Sequence, residues 1–250
     1  MNHRRCIASW ALGCALVASA LRADVNATIA KARAFLGEER ALDSVHSIHF
    51  VGTTVESDAK GDSEAFPIDI VFQKDFQQRI TLTKPVETEI IALDDYEAWH
   101  RVQDTKAPDH GQTILYLKDK VKQLRATSWE NLAFFKGIEQ LGGAVVDDGL
   151  TDVNGKKAHK LTFVHEPGLV YARYFDEASG QLLLTETDQG SRIHEDGEMR
   201  AEGVRFPARI VISNTEPSGE VRRVTINIQK VMVNEAFPED FFSVPLVVPK

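Results

Sequence analysis

Apolar and polar positions alternate in short runs along most of this chain, and each run ends in a turn signal. From Val145 onward the runs recur about every ten residues, the spacing of an antiparallel meander. Leu161 and Phe163 share one face. Phe206, Ala208, Ile210 and Ile212 alternate, as do Val224, Ile226 and Ile228. The phase of that last run slips at Gln229-Lys230, which predicts a β-bulge. Asn154-Gly155 is a two-residue hairpin signal, and Pro167-Gly168, Ser179-Gly180, Glu202-Gly203 and Ser218-Gly219 mark further turns. Nearer the start, strands are predicted over Ser47 to Val55, Arg79 to Thr83, Glu87 to Leu93 and Glu97 to Val102. Phe66, Ile68, Ile70 and Phe72 alternate strictly against Asp69 and Gln73, a half-buried strand.

Two stretches switch to helical spacing. Val25, Ile29, Ala32 and Leu36 form one stripe and predict a helix over Asp24 to Leu42. Val121, Leu124, Leu132, Phe135, Ile138 and Leu141 form another over Leu117 to Leu141, stopped by Gly142-Gly143, with a break expected near Thr127-Ser128. The sum is an α+β chain, mostly antiparallel β, with about ten strands and two helical segments in one domain.

The first 23 residues change the picture of where this domain works. Arg4 and Arg5 precede an apolar stretch from Cys6 to Leu21, and Ala18-Ser19-Ala20 offers a small-x-small cleavage site. This predicts a secretory signal peptide over 1–23 and a mature domain over 24–250. The stretch is short against the ~20 residues of a membrane span, and Gly13-Cys14 makes only a weak lipobox. Both cysteines, Cys6 and Cys14, fall inside the signal, so disulfide and thiolate chemistry are excluded from the mature chain. Losing Arg4, Arg5 and Arg22 takes the net charge from -8 to -11. So acidic a protein gains nothing from phosphate contacts, which argues against nucleic acid as a partner.

Motifs for chemistry are scarce. The chain has no Gly-x-Ser-x-Gly elbow, no His-Glu-x-x-His and no phosphate-cradling loop. His46 and His49 lie at an odd spacing in a strand and so face opposite ways. His159 and His165 share a face but stand about 20 Å apart at strand rise. His194-Glu195-Asp196 reads as a solvated polar turn. Asp94-Asp95 and Asp147-Asp148 read as turn caps rather than acid–base pairs. Trp99, Trp129, Phe134 and Phe135 read as core. No enzyme, metal or cofactor is implied.

What remains is a large apolar face. Two helices can cover a curved sheet of about ten strands without filling it, because packing to interior density demands gapless meshing from both sides. An unfilled apolar space stays dry and takes apolar guests, and each buried methylene contributes about 0.8 kcal/mol. Alternation assigns the wall of such a cavity to Ile48, Phe50, Phe66, Ile68, Ile70, Phe72, Leu161, Phe163, Phe206, Ile210, Ile212, Ile226 and Ile228. Val121, Leu124, Leu132 and Phe135 are the lid residues.

Three segments carry a family likeness. Tyr174-Phe175-Asp176-Glu177-Ala178-Ser179-Gly180-Gln181-Leu182-Leu183 fits an aromatic-Asp-x-x-x-Gly-x-Leu-Leu hairpin. Gly203-Val204-Arg205-Phe206-Pro207-Ala208-Arg209-Ile210 fits a Gly-Val-x-x-Pro-x-x-Ile strand. Val233-Asn234 through Phe242 and Pro245 fits a closing Asn…Phe-x-x-Pro. In this order they resemble the outer-membrane lipoprotein-sorting family, the LolA-like periplasmic carriers. The resemblance implies an open half-barrel with helices over its concave face. It also implies a periplasmic, non-enzymatic role in which lipid or lipoprotein acyl chains are bound and exchanged with a membrane-bound donor or receptor. It assigns no binding role to the strand arginines Arg79 and Arg173. The alternative on the same fold is a protein-interaction or envelope-stress sensor domain, with a filled interior and an exposed apolar patch.

Overall fold

The computed structural model describes residues 24–58 and 61–245. The predicted signal over 1–23, with both cysteines, lies outside the described residues. Among the described residues no helix is long and apolar enough to cross a membrane.

The molecule is built on one large antiparallel sheet that stays open. Its first meander comprises β1 (Ser47–Asp58), the short β2 (Gly61–Asp62), β3 (Phe66–Gln73), β4 (Gln77–Thr83), β5 (Glu87–Asp94), β6 (Glu97–Asp104) and β7 (Gly111–Leu115). Its second comprises β8 (Ala144–Val153), β9 (Lys156–Glu166), β10 (Leu169–Asp176), β11 (Leu182–Thr187) and β12 (Arg192–Asp196). After a small separate hairpin of β13 (Met199–Ala201) and β14 (Val204–Phe206), it continues through β15 (Arg209–Thr215) and β16 (Val221–Val233). The seam is the β1–β16 pair, which runs from Ile48↔Val233 to Ser57↔Arg223. β7 and β8 are the free edges.

Fourteen strands form this sheet, not ten. The surplus comes from short or polar pieces such as β2, β7 and β12, which give too little alternation to read. His194-Glu195-Asp196 is not a turn but part of β12, with Glu195 paired to Ile210. The Phe206–Ile212 alternation is split between two sheets, because Pro207 has no N–H to continue a ladder and β15 begins only at Arg209. The predicted bulge is present. Val51 pairs with Lys230 and Gly52 with Ile228, leaving Gln229 unpaired between them.

The helical segments are shorter than their stripes. A helix over 24–36 (α1) is separated from α2 (Glu39–Asp43) at Gly37. A Cβ there would stand 2.7 Å from the Gly203 carbonyl oxygen, so the β13–β14 turn approaches where only glycine fits. α3 (Lys118–Leu132) runs unbroken through Thr127-Ser128, where the Thr127 hydroxyl donates back to the Gln123 carbonyl at 3.0 Å. The break comes later, at Phe134 (φ 46°), Phe135 (φ 70°) and Gly137 (φ 93°), before a 3-10 turn over Ile138–Leu141.

Both faces of the first meander are covered. α3 lies on one, where Leu93 and Ala98 pack against Val121 and Leu124. The chain after β16 lies on the other. There the Trp99 indole N–H donates to the Phe242 carbonyl at 2.9 Å, and Arg79 sits over the Phe241 ring at 4.6 Å. Asn234 anchors this tail by accepting from the His46 N–H at 2.6 Å and donating to the Ser44 carbonyl at 3.1 Å. The closing Asn…Phe-x-x-Pro segment is thus a structural strap.

Candidate functional site: an apolar cavity with buried arginines

Where α1 and the Phe134–Phe135 link cross the inner face of the sheet, packing is incomplete. A cavity of about 100 Å³ remains. Its sheet side is made by Ile48 and Phe50 of β1, Leu182 of β11 and Ile210 of β15. Ala32, Phe35 and Leu36 of α1 face them, and Phe134, Phe135, Phe206 and Pro207 complete the rim. As it stands the space is too small for a long acyl chain, so filling it with one requires the cover to move.

Of the residues assigned to a cavity from alternation, Ile48, Phe50, Phe135, Phe206 and Ile210 line this space. Ile68, Ile70, Phe72, Leu132, Ile226 and Ile228 lie beside it in one buried cluster that includes Phe134, with Ile212 at its margin. Leu161 and Phe163 pack with Phe135 and Ala32 in a second cluster. Val121 and Leu124 belong to the separate cluster under α3. Phe66 is half-buried at the start of β3.

The link is the mechanically unusual part of the cover. Two consecutive aromatic residues hold left-handed backbone, at a cost of about 1–3 kcal/mol each. The result sends Phe134 into one cluster and Phe135 into the other. Arg33 of α1 holds the link in place. Its guanidinium donates to the Phe134 carbonyl at 2.9 Å and the Ala133 carbonyl at 3.3 Å. It also pairs with Glu39 at 2.7 Å and Asp43 at 2.8 Å.

Buried charge sits among these apolar walls. Arg173 of β10 points inward, its side chain 7% exposed, and Nη2 pairs with Glu130 of α3 at 2.5 Å. The other Glu130 oxygen holds His165 Nε2 at 2.6 Å, and the His165 ring packs edge-on against Trp129 and Tyr171. The Arg173 guanidinium lies over the Phe135 ring at 4.7 Å and the Phe163 ring at 5.3 Å. Its Nε and Nη1 have no hydrogen-bond partner. Arg205 of β14 also lines the cavity, stacked on Phe35 at 4.4 Å and paired with Glu198 through Nη1, while its buried Nε has no partner. Glu195 of β12 completes the set. Burial pushes its carboxyl above the usual carboxylate range, and Arg173 only partly offsets this.

None of these four charged groups was assigned to the cavity from sequence. Arg173 carried a visible signal, since it shares the inward phase of Tyr171 and Phe175 on its strand. Glu130 gave none until α3 was seen to turn it toward the sheet. Elsewhere, Thr28, His159 and Asp147 form a chain of 2.8 and 2.7 Å contacts that pins α1 to β9 and β8. No group of three metal-ligating side chains occurs among the described residues.

No family model matches the chain, and no curated protein matches its sequence. Solved structures do resemble it. A LolA superfamily protein from Nitrosomonas europaea superposes with a TM-score of 0.55 at 12% identity, over 85% of this chain and 97% of that one. A DUF1329 family protein from Desulfovibrio piger ATCC 29098 gives 0.54 at 8% identity, over 88% and 97%. At such identities the likeness is one of fold, and at that level the LolA-like resemblance read from the sequence holds.

Proposed function

We propose that this protein is a periplasmic, non-enzymatic carrier or binder of lipid or lipoprotein acyl chains, of the outer-membrane lipoprotein-sorting type. In this reading residues 1–23 direct export and 24–250 form one binding domain. The observation that supports it is the apolar cavity under a cover held by two strained aromatic residues and one arginine latch. Lifting the Phe134–Phe135 link would extend the cavity across Ile68, Ile70, Phe72, Ile226 and Ile228, which now pack against it. The burial released by moving the cover is regained from the chain, at about 25 cal/mol per Å². A membrane-bound donor and acceptor would load and unload it.

Titrating the delipidated protein with a fluorescent fatty acid tests this. Saturable binding at one site, competed by unlabelled lipid, is the expected result. A flat titration refutes it.

A second reading, a protein-interaction or envelope-stress sensor domain, draws support from the free edges. Ile114 and Leu115 on β7, and Val146 and Leu150 on β8, are exposed apolar side chains beside unpaired backbone. It predicts no lipid binding and a folded partner that protects these edges.

A further inference from the structure

The cavity is not chemically uniform, and its polar groups say which end of an amphiphile it takes. A guanidinium buried in apolar surroundings costs free energy unless its donors are satisfied. Arg173 is buried and lines the cavity, yet only Nη2 has a partner; Nε and Nη1 are left over. Arg205, lining the same cavity, also keeps an unpartnered Nε. Two arginines with spare donors around one small apolar space form a site that lacks an acceptor.

We infer that this cavity binds a single-chain amphiphile by its anionic head, a carboxylate seated on the free donors of Arg173, with the tail along the apolar wall toward Ile48 and Phe50. This rests on the acyl-binding reading and narrows its ligand to an acid.

A monoanion fits better than a doubly charged phosphate. Each guanidinium already has a carboxylate partner, Glu130 for Arg173 and Glu198 for Arg205, so no unbalanced positive charge awaits a dianion, while the unpartnered Nε and Nη1 of Arg173 match the two oxygens of a carboxylate. Glu195 lines the same space, and burial pushes its carboxyl above the usual carboxylate range. Phe135 and Phe163, on which the guanidinium lies, hold it flat and keep water from it.

The test compares ligands that share one tail. Hexadecanoate, hexadecanol and methyl hexadecanoate are each titrated into the delipidated protein in competition with a fluorescent lipid. Hexadecanoate should bind about tenfold or more tightly than either neutral analogue, the factor expected for charge-assisted hydrogen bonds. Arg173→Met should remove that preference and leave hexadecanol affinity within about twofold. Arg173→Lys should keep part of it. If the Arg173 variants do not fold, the wild-type comparison and Arg205→Met, which should weaken only the acid, still decide. Equal binding of acid and alcohol by the wild type overturns the carboxylate site and leaves acyl binding standing. No binding of any of the three overturns both.

Discussion

The inner face of the sheet is built twice from the same alternation, with opposite results. Under the first half of α3, Leu93 and Ala98 meet Val121 and Leu124, apolar side chains closing on apolar side chains. Toward α1 and the Phe134–Phe135 link, the strands carry Arg173, His165 and Glu195 at inward positions, and the last turns of α3 contribute Glu130. The first arrangement is what stability alone produces. The second is expensive, because each buried ion costs several kcal/mol and its pairing seldom returns more than that. A domain able to fill one half of its face with hydrocarbon did not do so in the other. The charged half is where the proposed head group would be seated.

The largest loss is expected on the opposite face of the first meander, a wholly packed reference for both halves of the inner one. Trp99→Ala removes a fully buried indole and its bond to the Phe242 carbonyl, detaching the tail strap. A loss of about 3–5 kcal/mol is expected by urea denaturation, and a loss under ~1 kcal/mol would show that the strap contributes little.

On the charged side the single and double changes should diverge. Glu130→Ala strands Arg173 and His165 and should cost about 3 kcal/mol or more. Replacing Glu130 and Arg173 together by Met should cost far less or even stabilise. Additive losses in the same denaturation experiment would mean that the pair is ordinary structural cement.

The smallest effect sharpens the role of Glu195. Its carboxyl is raised by burial, so the native state holds a proton that the unfolded chain has released. Stability must then fall as pH rises from the ordinary carboxylate range. Glu195→Gln should flatten that slope and raise the thermal midpoint at neutral pH. An unchanged pH profile would mean that Glu195 is solvated.

How much of this was legible depended on how local the signal was. Asn154-Gly155 takes left-handed backbone at both residues, φ 54° and 82°, as its turn chemistry requires. The slip at Gln229 is a bulge because period-two alternation cannot change phase otherwise. Helical spacing predicts a helix through Phe134 and Phe135, because Phe135 keeps the stripe, while the tertiary setting forces both backbones out of it. The charged half was the least legible. Arg173 and Glu130 stand 43 positions apart on a strand and a helix, and their meeting depends on how α3 lies across β10, which no spacing in either segment encodes. Gly37 likewise punctuated the first helix for a reason carried by Gly203, far along the chain.

The β1–β16 seam joins the first and last strands among the described residues, with Ile48 opposite Val233. Such a chain cannot complete its central ladder until nearly all of it has emerged from the ribosome. High contact order makes the closing step slow. During that interval β1 and β16 each lack one neighbour, and their unpaired backbone stays accessible to whatever machinery escorts nascent chains.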